Sequence, residues 1–427
     1  MMSRRRVLSP LPTGLIVICL LSGSAVAGNW PQWRGIGFDG VSEETGLPVE
    51  WSATKNVAWR LPLPGPAGAT PLLWDDHIFL TSIDGQDLVL IAADRKGTQL
   101  WSKAVSTGNR NIRGDEGNFA SPSPCTDGEH VWAMMGTGVL ACYDFDGEEI
   151  WKTDLPERYG RIDIQFGFAS TPVLDGGRLY LQIIQSGGSK VVALDKRTGH
   201  EIWKQSRPTD ARDESEQSYA SPIIYRDGGR EMLLSHGGDY IVAHRLTDGA
   251  EIWRCGGLNP KGRYNNTLRF IASPVAAADL IVVPSAKNGP VLGLRPNGQG
   301  DITNVAATHW WTHPQNTPDV PSPLIQGGLV YLCRENGNLI VLDAKTGEEY
   351  YEHRTHSDRY RASPLYADGK IYLTSRDGTI TVVKAGKEFE VLATNTMGEN
   401  ITASPVIANG TLYLRTFDAL YAIRGAQ

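Results

Sequence analysis

The residues of this chain that could do chemistry are few, and most fail on their spacing. Gly35, Gly37 and Gly40 match the G-x-G-x-x-G of a dinucleotide-binding turn. Such a turn needs a strand before it and a helix after it, whose first N–H groups hold the pyrophosphate. Here Pro31 and Pro48 flank the stretch and neither element is written, so the nucleotide reading falls. Asp213 and Glu216 form a carboxylate pair of the kind glycosidases use, but both lie in one acidic loop, where solvated carboxylates are the ordinary outcome. Beyond Ala27 the cysteines are Cys125, Cys142, Cys255 and Cys333, no two of them closer in sequence than Cys125 and Cys142. That spacing excludes C-x-x-C metal ligation and reads as buried thiols, with a disulfide left open. Asp-Gly pairs such as Asp368-Gly369 lack the alternating carboxylates of a calcium loop. With no defensible Ser-His-Asp order and no H-E-x-x-H, no catalytic residue and no metal ligand is assigned.

What remains is a set of long polar stretches rich in Arg, Tyr, Asn and carboxylates. The candidate binding residues they carry are Arg113, Asp115, Asn118, Arg161, Gln165, Glu216, Tyr219, Arg269, Asp319, Arg359, Arg361 and Asn400. A guanidinium is always charged and presents a planar fork of donors, so clustered arginines suit carboxylate or hydroxyl-rich ligands.

The elements that must position these stretches follow from a repeat. An x-(Ser/Thr)-Pro element recurs at Pro71, Pro122, Pro172, Pro222, Pro274, Pro323, Pro364 and Pro405, at intervals of 51, 50, 50, 52, 49, 41 and 41 residues. Within each interval come a short apolar run, an Asp-Gly or Asn-Gly turn, two more strand-like runs, and a Gly-x-x-x-Trp ending such as Gly147 to Trp151. Four strands per unit of 40–50 residues define the blade of a β-propeller, and eight units predict an all-β, eight-bladed propeller of antiparallel four-stranded blades. The aromatic of the fourth strand, at Trp59, Trp101, Trp151, Trp203, Trp253 and Trp310, reads as a docking residue packed between blades. The eighth unit ends after three strands, while residues 56–62 have the form of a fourth. The N-terminal strand is therefore expected to complete the last blade and remove an open edge. The polar stretches then become inter-blade loops around one mouth of the channel, with Asn118, Gln165, Ser218, Arg269, Asp319, Tyr360, Arg361 and Asn400 nearest the axis.

Residues 1–27 differ in kind. Arg4-Arg5-Arg6, the apolar run Leu15–Leu21 and Ala25-Val26-Ala27 read as a signal peptide, the run being too short for a transmembrane anchor. Residues 28–55 then form an N-terminal extension and 56–427 the propeller. Loss of three arginines from the 41 basic residues leaves 38 against 47 acidic ones, a net charge of −9, which argues against a nucleic-acid partner.

The best copy of the repeat, Ala193-Leu-Asp-x-x-Thr-Gly-x-x-x-Trp203, together with the Ala-Ser-Pro elements, resembles the pyrroloquinoline-quinone (PQQ)-like repeat with its tryptophan-docking motif. The opening Asn29-Trp-Pro-Gln-Trp-Arg-Gly35 is similar to exported planctomycete-type members of unassigned activity. This resemblance implies either quinoprotein dehydrogenase chemistry or BamB-like assembly of proteins. The first implies PQQ held against a ring of two adjacent cysteines beside a Ca²⁺ ion, and no adjacent pair exists here. The expected function is therefore an exported, periplasmic or extracellular, non-catalytic scaffold without cofactor, binding a protein, peptide or glycan at its loop face. The alternatives are a PQQ- and calcium-dependent oxidoreductase or a polysaccharide-active enzyme.

Overall fold

A computed structural model describes residues 28–112 and 117–425. The signal-peptide reading and Arg113 and Asp115 lie outside the described residues.

Eight blades, each an antiparallel four-stranded sheet, follow one another in chain order, and Val41–Ser42 adds a short parallel strand beside Leu365–Ala367 in blade 7. Blade 1 is built from Leu72–Trp74, His77–Asp84, Asp87–Asp94 and Gln99–Thr107. Blade 3, from Val173–Asp175, Arg178–Ile183, Lys190–Asp195 and Glu201–Ser206, repeats the plan. The middle strands are buried almost without alternation, as in Asp87–Asp94, because a neighbouring blade covers each face of the sheet. The outer strand alternates between exposed and half-buried positions, as in Gln99–Thr107, because it forms the rim. In blade 8 the outermost strand is Val57–Pro62, antiparallel to Ala419–Ile423, so the first strand of the propeller closes the last blade. Arg60 seals that join: its Nε donates to the Tyr421 hydroxyl at 2.8 Å and its Nη2 lies 3.2 Å from Glu399.

The Ser/Thr-Pro elements have a specific task. The backbone N–H of Thr70 donates to Ser123 Oγ, Ser123 to Thr171, Thr171 to Ser221, Ser221 to Ser273, Ser273 to Ser322, Ser322 to Ser363 and Ser363 to Ser404, all between 2.8 and 3.2 Å. Seven bonds thus step from blade to blade around the channel. This girdle corrects the sequence alignment of the second unit. Ser123-Pro124, not Ser121-Pro122, occupies the shared position, and the inner strand starts at Cys125 directly after it, as every other inner strand starts directly after its proline. The intervals on either side become 53 and 48.

Each outer strand carries a β-bulge beside its docking position, which re-aims one side chain onto the next blade. Trp59, Trp101, Trp151 and Trp203 donate their indole N–H to carbonyls of Arg95, Phe145, Lys196 and Leu246 on the following blade at 2.8–3.0 Å. Each ring also covers the turn glycine there: a Cβ on Gly97, Gly147, Gly199 or Gly249 would fall 2.5–2.9 Å from it, and all four glycines have positive φ. Glycine in Gly-x-x-x-Trp is thus the receiving surface for the previous blade's tryptophan. In blade 5 the docking residue is Trp311 rather than Trp310. Trp311 pairs with Gly293, bonds Ala344 O at 2.9 Å and covers Gly347, whereas Trp310 bonds Asp279 O within its own blade under the Arg295 guanidinium. In blade 4, Trp253 is fully buried, and a parallel segment, Gly300–Asp301, adds to its strand.

Blade 4 holds a buried polar network as well. Arg207 Nε donates to Ser235 Oγ, which lies 2.9 Å from His244 Nε2, while His244 Nδ1 faces Gly249 O. Burial, reinforced by the charge of Arg207, pushes His236 down to about 3 and His244 down to about 4. Both are neutral in the folded protein and gain protons on unfolding below about pH 6.5. Their stabilisation is therefore complete above that value and is lost as pH falls toward the folded values.

This packing sets two measurable outcomes. Trp203→Ala removes a buried ring, its N–H bond and the cover of Gly249, and is expected to destabilise the fold by about 3–5 kcal/mol, measured by denaturant melts. The melting temperature should fall by several degrees between pH 7 and pH 5; a flat profile in thermal melts would contradict the neutral buried histidines.

Candidate functional site

The residues that form the site are brought together by two different means. On the face bearing the first hairpin turns, residues 30–44 run across the end of the channel and touch the blades in turn. Trp30 exchanges two backbone bonds with Leu73, Pro31 O accepts from Thr126 N–H, and Gln32 Oε1 accepts from Leu174 N–H. Phe38 enters the core that runs from blade 3 to blade 5. Arg34, 2% exposed, donates to the carbonyls of Phe38, Asp39 and Pro323, the last at 2.6 Å. Burial pulls its pKa down to about 10 against the charge of Asp39. Gly40 O accepts from Tyr366 N–H, and Glu44 accepts from the N–H groups of Asn409 and Gly410. The glycines that imitated a nucleotide turn serve this crossing: Gly35 and Gly40 have φ of +78° and +75°, and a Cβ on Gly40 would stand 3.0 Å from Pro364 O.

The crossing leaves a well. A cavity of about 270 Å³ lies in the channel, with Trp33 at the plugged end. Its wall includes Ser123, Thr171, Ser273, Ser322, Ser363 and Ser404 of the girdle, with Ala169, Ile271 and Val320. Around its loop end stand Phe166, Tyr219, Arg269, Asp319 and Arg361. Arg269 is only 8% exposed; it pairs with Glu214 at 2.5 Å, and its guanidinium lies 4.8 Å from the centre of the Phe166 ring. Gln217 Oε1 braces this side of the mouth by accepting from Gln165 N–H and the Tyr219 hydroxyl. Asp319 accepts from Lys287 N–H, and its own N–H donates to Glu335.

Four of the sequence-derived candidates thus converge: Tyr219, Arg269, Asp319 and Arg361. Others take different places. Asn118 is buried, its amide bonded to Pro66 O and its carbonyl oxygen to Ala120 N–H, which holds a turn. Glu216 lies on the short turn Asp213–Glu216, but the carboxylate meeting Arg269 is Glu214. Arg161, Gln165 and Arg359 are exposed on the loops, and Asn400 O accepts from Phe417 N–H. Of the other positions expected near the axis, Ser218 is buried and donates to His236 O, and Tyr360 is fully buried beside Thr355. Sequence reasoning missed Trp33, Phe166 and the girdle hydroxyls as lining. The hydroxyls carried a signal, since one sits before a proline in every unit; Trp33 and Phe166 carried none.

Fold and site together define an eight-bladed PQQ-like propeller whose channel is stopped at one end and walled by loops at the other. Residues 40–120, 115–301 and 298–388 match the family model described as outer membrane protein assembly factor BamB, and the chain belongs to that family. It is 24% identical over 258 residues to the outer membrane protein assembly factor BamB of Yersinia pestis, covering 59% of each chain. It is 26% identical over 262 residues to the same factor of Moranella endobia, covering 59% of this chain and 61% of that one. The chain thus spans about three fifths of the length of these relatives. Among solved structures, BamB from Moraxella catarrhalis superposes with a TM-score of 0.63 at 15% identity, over 86% of this chain and 99% of that one. A europium-containing methanol dehydrogenase superposes with a TM-score of 0.70 at 12% identity, over 92% and 90%. These two likenesses show the fold.

Arg269→Ala and Arg361→Ala should leave the melting temperature within a few degrees, because Glu214, the partner of Arg269, keeps about a third of its side chain in solvent and is hydrated when the arginine is removed. The same variants should weaken retention of bound partner in a pull-down; a large loss of stability with unchanged retention would make these arginines purely structural.

Proposed function

We propose that the protein is an exported, non-catalytic binding propeller that engages a polypeptide across its loop face. The observation that carries this reading is the convergence of Arg269, Arg361, Asp319, Tyr219 and Phe166 at the open end of a channel stopped by Trp33. Binding residues on loops held by a rigid frame are the usual construction of a recognition surface. Membership of a family whose curated relatives are named assembly factors supports a polypeptide over a glycan. No helix among the described residues is long and apolar enough to cross a membrane.

The quinone alternative meets a poor donor set. Cys125, Cys142, Cys255 and Cys333 are all buried free thiols, and none lines the well. Among the described residues Asp319 is the one carboxylate in the lining, beside two arginines, whereas Ca²⁺ takes six to eight oxygens with several carboxylates among them. The residues present do not fit a quinone–calcium pair, and no step is derived through one. The polysaccharide-active alternative fares no better: Asp213 is exposed on its turn, and neither it nor Glu216 lines the well.

A photo-crosslinking residue at Gln165, exposed beside the mouth, should trap a polypeptide in cells, while the same residue at Leu100 on the outer rim should not. Crosslinks from the rim alone would overturn the loop-face assignment.

A further inference from the structure

The girdle has a second chemical face. Each of its seven acceptor hydroxyls receives a backbone N–H from the preceding blade, which occupies one lone pair. Among the described residues, none of these hydroxyls donates its own hydrogen to a protein acceptor. A hydroxyl that accepts from an amide is polarised toward donation. Six of the seven line the well, so its wall carries a ring of hydroxyls, none of which donates to a protein acceptor among the described residues. At the mouth stand two guanidiniums, of which Arg269 is partly balanced by Glu214 and packed on Phe166. Between hydroxyls and arginines the lining is apolar at Trp33, Ala169, Ile271, Val320 and Phe166, while the Asp319 carboxylate at the mouth accepts from the Lys287 N–H. A cavity with donors at depth, cations at its rim and apolar walls selects an acceptor-only anionic head on an apolar body.

Shape narrows the class. The crossing of residues 30–44 closes the far end, so a polypeptide cannot thread through the channel. A volume of about 270 Å³ holds one large side chain and its end group rather than a folded loop. We infer that the well takes a carboxylate borne on an apolar group, above all the C-terminal residue of a polypeptide, with its carboxylate turned toward the girdle hydroxyls and its side chain against Trp33 and Ile271. This deepens the loop-face reading and rests on it, by naming the part of the partner that enters the channel.

The test uses the full mature chain and a fluorescent pentapeptide ending in phenylalanine, as free acid and as C-terminal amide, followed by anisotropy. The free acid should bind at least tenfold more tightly than the amide, and benzoate should displace it. Ala169→Leu, which fills the well from its wall, should abolish binding with the fold intact by melting curve. Arg269→Gln should weaken the acid and leave the amide unchanged. Benzoate binding with no peptide binding would assign the same carboxylate site to a small acid, whereas peptide binding that benzoate cannot displace would place the peptide outside the well and overturn the inference. Equal affinity for acid and amide, binding of none of the probes at millimolar concentration, or full binding by Ala169→Leu would overturn the inference. Because crosslinking from Gln165 does not require a carboxylate, its success beside any of those results would leave the loop-face function standing while this site falls.

Discussion

One hydrogen bond, repeated around the axis, sets the geometry on which the rest of the propeller depends. Seven of the eight inner strands are introduced by a residue whose backbone N–H reaches the hydroxyl of the next blade. The following proline fixes φ through its ring and has no N–H of its own to satisfy, so a hydroxyl residue followed by proline gives this arrangement without an orphaned donor. The girdle fixes how far each blade is turned from its neighbour at small radius. At five of the eight junctions a tryptophan fixes the same relation at large radius, through one indole N–H and one glycine surface. Two constraints at two radii define the blade angle, and a constant angle closes eight blades into a ring.

Closure explains why charge and polarity are tolerated at depth in a few places. Arg34 is buried because several carbonyls surround it where the crossing segment meets blade 6, and a guanidinium offers enough donors to satisfy them. Arg415, also buried, reaches Ala69 O at 3.3 Å across the junction between the last blade and the first. Cations thus serve at joins where strand pairing cannot. Arg269 and Arg361 differ in kind, since they line open space.

The fold was legible in the sequence because its determinants are local and repeated. A Ser-Pro, an Asp-Gly turn and a Gly-x-x-x-Trp each act where they are written, and even the closing strand could be read from its likeness to residues 149–155. The failures came where two candidates stood side by side. Ser121-Pro122 and Ser123-Pro124 are equally good motifs, as are Trp310 and Trp311, and only strand register decides between them. The site was half legible. Position before an inner strand brought Arg269, Asp319 and Arg361 to the mouth, but Asn118 in a comparable place is consumed by its own turn. Trp33 could not be foreseen, because its place depends on a segment that lies across the sheets instead of within one.

That segment has a consequence for the order of events during synthesis. Its partners are scattered along the whole chain: Leu73 and Thr126 early, Pro323 and Tyr366 late, Asn409 nearly last, and the strand that follows it pairs with Ala419–Ile423. A stretch that leaves the ribosome among the first can pair early with Leu73 and Thr126 but is fully seated only once the final strands have been made, since the contacts that seat it reach from one end of the propeller sequence to the other. Middle blades can form as they emerge, each leaning on its predecessor, but the ring and the floor of the well are completed together in one late step. A nascent or truncated chain therefore has blades without a bottom to its channel, and the well comes into being only in the finished molecule.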